Sequence, residues 1–113
     1  MTLIYKICPT SLWSDAQAKG VFKGAPIDIA DGYIHFSSAE QLRETARKHF
    51  SGLTDLLLIA VDDSKLGPAL KWELSRGGAL FPHLYDALDP TNVSWIKPLS
   101  LGSDGDHEFP PLD

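Results

Sequence analysis

Residues 71–85 read KWELSRGGALFPHLY, and this stretch decides how the rest of the chain is arranged. The Gly77-Gly78 pair stands between two short apolar-rich runs, the pattern of a tight turn joining two extended segments. Side chains two apart share a face of a strand. Glu73 and Ser75 therefore lie on one face of the first strand, with Trp72 and Leu74 on the other. On the second strand Phe81, His83 and Tyr85 share a face, opposite Leu80 and Leu84. A hydrophobic core has no use for glutamate, arginine, histidine and tyrosine gathered at one turn. The hairpin is read as part of a site; the bland alternative is a surface hairpin with ordinary polar residues.

Upstream of the hairpin, residues 56–61 are apolar on both faces and predict a central strand. Residues 3–8 predict a first strand, ended by Pro9. Thr10 or Ser11 caps a helix reaching about Lys19, which Gly20 closes. Residues 20–32 read as irregular and 33–37 as a strand. Ser38 with Gln41 has the spacing of a capping box. Leu42, Thr45, Ala46, His49 and Phe50 recur at helical intervals as a core-facing stripe, ended by Gly52. Residues 93–99 form the last strand. Strand, helix, strand, helix and then mostly strands predicts an α+β domain, with a mixed or antiparallel sheet and two main helices on one side.

A chain of 113 residues makes a single domain. Residues 1–101 are read as its globular part and 102–113 as a flexible acidic and proline-rich tail, pinned at most by Phe109. The net charge of −5 speaks against general nucleic-acid binding, yet a local pocket can still be positive enough for a small anion. The single cysteine, Cys8, cannot form an internal disulfide and is read as a packing residue, which suits a reducing compartment. No secretion signal stands at the N-terminus, and the longest apolar run, residues 56–61, is too short to cross a bilayer. A cytoplasmic location with no membrane partner is the expectation.

The second polar cluster is GYIHFSS, residues 32–38. Alternation gives Tyr33, His35 and Ser37 one face, at a strand end just before a helix N-terminus, where an anion is favoured. His35, Glu73 and His83 have the ligand types of a metal site, but no His-x-x-x-His and no cysteine pair exists, so no metal is expected. A G-x-S-x-G elbow, a GxxxxGK[ST] loop and a GxGxxG loop are all missing. His49 reads as structural, His107 as solvated, Trp13 and Trp95 as core, and Trp72 as core or a stacking wall.

Three segments together carry a resemblance: IYKI at 4–7, DGYIHFSSAEQ at 31–41 and LKWELSRGGALFPHLY at 70–85. In combination they resemble the small bacterial family catalogued as domain of unknown function 952, over about residues 3–99. That family looks like a member of the ADP-ribosyltransferase-like group, whose split β-sheet binds NAD in its cleft. The resemblance implies that His35, with Ser37, holds the adenosine ribose. It implies that Glu73 bonds the nicotinamide ribose and stabilises the positive charge left on the sugar when nicotinamide departs. Tyr85 or Trp72 would stack on the nicotinamide, Arg76 would pair with the pyrophosphate, and His83 and Phe81 would complete the pocket. The catalytic set is then Glu73, His35 and Tyr85. Two other readings remain open: a non-catalytic module for a nucleotide or other small anion, and a metal-dependent hydrolase using His35, Glu73 and His83.

Overall fold

Short apolar stretches broken by proline and glycine give short elements. The computed structural model describes residues 2–112, the Arg76 side chain lying outside the described residues. The chain runs β1 (Leu3–Pro9), α1 (Thr10–Lys19), α2 (Pro26–Asp31), β2 (Ile34–His35), α3 (Leu42–His49), β3 (Leu56–Asp62), β4 (Leu70–Leu74), β5 (Leu80–Leu84), β6 (Trp95–Leu101) and β7 (His107–Glu108). The strands form a four-stranded sheet, β1-β3-β6-β7, and a three-stranded sheet, β2-β5-β4. Pairing within both is antiparallel, so the α+β expectation holds in its antiparallel form, but the two main helices do not share one side: α1 packs in the cluster on one face of β3 and α3 in the cluster on the other. The two sheets meet where Tyr5 and Ser37 exchange backbone hydrogen bonds, each 2.8 Å long.

The run at 56–61 is central, as its two-sided apolarity requires: β3 lies between β1 and β6. Leu56, Leu58 and Ala60 pack with Tyr5, Ile7, Leu42, Ala46 and Leu99. Ile59 and Val61 pack on the other side with Ile4, Cys8, Trp13, Phe22, Ile34 and Leu84. Helix α1 buries Trp13 and Ala16 and ends at Gly20, whose φ of 77° a residue with a Cβ takes only under strain. Trp13 is core, and Trp95 is half-buried against the second cluster.

Cys8 is a packing residue. Its side chain is fully buried, and burial pushes the thiol up to about 11. A thiol that high gives almost no thiolate at neutral pH. A soluble thiol reagent is expected to leave Cys8 unmodified in the folded protein and to modify it after denaturation, read by mass spectrometry. Fast labelling of the folded chain would contradict this.

Four further expectations need correction. Residues 20–32 are not all irregular: Pro26 opens α2, a position where its missing N–H costs nothing. Helix α3 begins at Leu42 rather than beside Ser38, because residues 38–41 form a turn in which Ser38 N–H donates to the Gln41 side chain at 3.0 Å. His49 is exposed, and the buried stripe of α3 is Leu42 and Ala46. His107 is buried, not solvated: its Nε2 lies 2.9 Å from the Leu53 carbonyl. Residues 102–112 thus hold to the domain through the β6–β7 pairing as well as through Phe109, whose ring lies under the Arg43 guanidinium at 5.1 Å. Among the described residues no helix is long and apolar enough to cross a membrane.

Candidate functional site

The hairpin turns where the double glycine predicts. Ser75 N–H donates to the Ala79 carbonyl at 2.9 Å, and Gly77 and Gly78 take φ of 66° and 77°, open to residues without a Cβ. The turn fixes a register in which Lys71 faces His83, Glu73 faces Phe81 and Trp72 faces Pro82. Glu73, His83 and Tyr85 then converge on one face: His83 Nδ1 lies 2.9 Å from Glu73 Oε1, and the Tyr85 hydroxyl donates to the same oxygen at 2.7 Å.

The second motif joins this group through strand pairing. In the β2–β5 register His35 faces His83, and their ring centroids lie 5.5 Å apart. Tyr33 covers the junction. Its ring stacks on His83 at 4.2 Å and lies 4.7 Å from His35 and 5.1 Å from Tyr85. Four aromatic rings, of Tyr33, His35, His83 and Tyr85, and the Glu73 carboxylate are thereby gathered from two remote stretches. The hydrogen bonds from Tyr85 and then His83 hold the Glu73 carboxyl below its ordinary range, so it stands ionised. The same Glu73 bond pushes the Tyr85 hydroxyl up to about 12. Burial, and next the charges of Asp31 and Glu73, raise Tyr33.

Sequence reasoning missed the residue that anchors this arrangement, Asp28. Its neighbours Ile27 and Ile29 are 62% and 64% exposed, whereas Asp28 is 1% exposed. The inversion follows from its partners. Lys6 Nζ lies 2.8 Å from Oδ2, which also accepts the Ala25 N–H at 2.8 Å. His35 contributes both its backbone N–H, at 3.1 Å, and Nδ1, at 2.6 Å, to Oδ1. The outer ring nitrogen of His35, Nε2, lies 3.0 Å from Asp31 Oδ2. Gly24 lets the chain pass close: at its φ of +118° a Cβ would stand 2.6 Å from Asp28 Cβ. The available signal was the Pro26 helix start, with an aspartate two residues on that can reach back to the Ala25 N–H.

Burial alone would raise Asp28, but the His35 hydrogen bond and the Lys6 charge outweigh it and hold the carboxyl at about 2, against an ordinary 3.8. The native state therefore binds this proton less readily than the unfolded chain does. The stability so gained is complete above the ordinary value and drains away as acid approaches the depressed one. Urea midpoints are expected to fall between roughly pH 4 and pH 2, with the fall shallower in Asp28→Asn. Parallel pH profiles for the two proteins would contradict this.

The other sequence-predicted residues are scattered around this core. Ser37 turns away from the rings: its hydroxyl is buried and lies 2.9 Å from the Thr45 hydroxyl. Phe81 is buried across from Glu73. Trp72 is 40% exposed and takes the opposite face of the hairpin, so it neither joins the core nor walls this group. The pyrophosphate role expected of Arg76 lies outside the described residues. Among the described residues no three His, Cys, Asp or Glu side chains are grouped to hold a metal ion. Beside Tyr33 and Tyr85 opens a hollow of about 350 Å³, also lined by Lys23, Ile29, Ile34 and Asp86. That volume is at the small end for ligand sites.

Protein CC0527 from Caulobacter crescentus is similar to this chain throughout. Its crystal structure superposes with a TM-score of 0.91 at 50% identity, covering 95% of this chain and 94% of that one. Its solution NMR structure gives a TM-score of 0.85 at 51% identity, covering 94% and 91%. No curated protein is significantly similar to the chain. The family match spans residues 7–96, which takes in His35, Glu73, His83, Tyr85 and the buried Asp28, and the chain belongs to the family described as Protein of unknown function (DUF952).

Proposed function

We propose that the face of the β2-β5-β4 sheet that carries His35, Glu73, His83 and Tyr85, beside the hollow at Tyr33 and Tyr85, binds a nucleotide-like ligand of the NAD type and acts at its glycosidic carbon, by NAD cleavage or ADP-ribosyl transfer. The observation that supports this is the Glu73 carboxylate. It is kept ionised by His83 and Tyr85, both bound to Oε1, so Oε2 is the oxygen left to a ligand. The bond from the sugar C1′ to the nicotinamide nitrogen breaks with its electron pair going to the nitrogen. Positive charge is left on the sugar, and a fixed carboxylate at that point stabilises it. Water or an acceptor hydroxyl then adds to C1′ and gives up its proton. Tyr33 and Tyr85 supply the stacking surface in place of Trp72. His35, held at Nδ1 by Asp28, offers Nε2 to a ribose hydroxyl that takes the place of Asp31. The work of such a site belongs to the cytoplasm, where the small-molecule pool supplies NAD.

The test is incubation of the full chain with NAD, following nicotinamide release by chromatography and binding by calorimetry. Release together with saturable heat supports the reading. Neither release nor heat removes it. The size of the hollow favours a second reading, a non-catalytic module that holds one half of a nucleotide; saturable heat without release is its signature.

A further inference from the structure

Strand β4 is an edge: in the order β2-β5-β4 it has a neighbour on one side. Phe36 N–H donates to the Pro82 carbonyl at 3.0 Å, so Pro82 turns its polar backbone toward β2. Alternation then turns Phe81 and His83 toward β4, and their partners Lys71 and Glu73 turn back to them. The bonds Ser75 N to Ala79 O and Tyr85 N to Ala69 O, each 2.9 Å, keep the same phase. The N–H and C=O groups of Leu70, Trp72 and Leu74 therefore point out of the sheet edge.

The side chains beside this edge are apolar and uncovered. Leu74 is 73% exposed, Leu80 50% and Trp72 40%, and Leu74 and Leu80 are a cross-strand pair. Exposed edges with such side chains invite another strand. The sequence of β4 specifies which. Leu-Lys-Trp-Glu-Leu read against itself in the antiparallel sense sets Leu70 opposite Leu74, Lys71 opposite Glu73 and Trp72 opposite Trp72. Each charge meets its opposite and each apolar residue meets an apolar one. A lysine on an edge normally repels foreign strands; here the same lysine has its counter-charge on an identical strand.

We propose that β4 is the contact between two copies of this chain, paired antiparallel about a two-fold axis at Trp72 to make one continuous sheet, β2-β5-β4-β4-β5-β2. The outward groups of Leu70, Trp72 and Leu74 exchange hydrogen bonds with their counterparts. Lys71 and Glu73 fall in the intervening pairs, where facing side chains stand closest. Lys71 of the partner subunit then stands opposite Glu73 across the seam. The contact stands whether or not the ligand is NAD.

Sedimentation of the full chain decides it. The mass is expected to rise from the 12.4 kDa monomer toward twice that value as concentration increases from about 1 μM to about 1 mM. Lys71→Glu sets like charges opposite each other at both symmetry-related pairs and is expected to weaken the dimer at least about tenfold. The double variant Lys71→Glu with Glu73→Lys reverses the pairs and is expected to restore it. A second variant guards against a fold defect at Glu73. Leu74→Lys, at an exposed position, is expected to disperse the dimer while the circular dichroism stays native. A wild-type chain that remains monomeric throughout overturns the proposal. So does a dimer indifferent to both Lys71→Glu and Leu74→Lys, or one that the charge reversal does not rescue in a folded double variant.

Discussion

Asp28→Ala is expected to lower the free energy of unfolding by about 3–5 kcal/mol, a large share of what a domain of this size has. The carboxylate is sealed from water, and it serves Lys6, the His35 ring and two backbone N–H groups together. Removing it leaves Lys6, itself only 6% exposed, as an uncompensated cation between β1 and the three-stranded sheet. The two backbone donors lose their acceptor as well, and orphaned buried donors are costly. Removing both charges is a different experiment. Lys6→Met with Asp28→Leu deletes the pair without stranding either ion, and it is expected to cost clearly less than Asp28→Ala alone. Urea titrations followed by circular dichroism compare the three chains. A single-variant loss below about 1 kcal/mol would show that water or a rearranged neighbour satisfies Lys6, and that the anchor is weaker than its geometry implies.

Glu73→Gln is expected to reduce nicotinamide release about 10²–10³-fold while leaving NAD affinity within a few-fold of wild type. The amide keeps the size of the side chain and can still accept from Tyr85. It loses the charge that opposes the developing cation, a loss felt in the transition state far more than in the bound ground state. Tyr85→Phe is the milder companion, because His83 continues to hold Oε1. Single-turnover kinetics alongside calorimetry separate the two effects. Retained affinity with lost turnover identifies an enzyme. Unchanged binding with no turnover in either protein identifies a module that holds its ligand without reacting it.

The hairpin and the central strand were legible because their signals are local. A double glycine has few uses other than a turn, and a run apolar on both faces has to be covered on both. Grouping Glu73, His83 and Tyr85 followed from counting by two. The meeting of His35 with His83 did not follow, since strand order is a property of the whole sheet and not of either segment. Ser37 shows where counting fails: past His35 the chain leaves the hairpin's sheet, and the hydroxyl ends up against Thr45 of a helix. Asp28 was hidden for another reason. An aspartate between two isoleucines looks like a polar interruption of a buried stretch, and only the cation waiting at Lys6 makes the reverse placement favourable. His107 likewise depends on a carbonyl 54 positions away.

One residue of β5 accounts for the place where the chain changes sheets. Pro82 sits mid-strand between two neighbours, where an imino nitrogen cannot supply the ladder with a donor. On the side facing β2 it offers its carbonyl alone, which accepts the Phe36 N–H, and the regular pairing of these strands ends with that single bond. Freed from that register, the backbone at Ser37 takes a new partner in Tyr5. The fork between the two sheets opens where that hydrogen is missing.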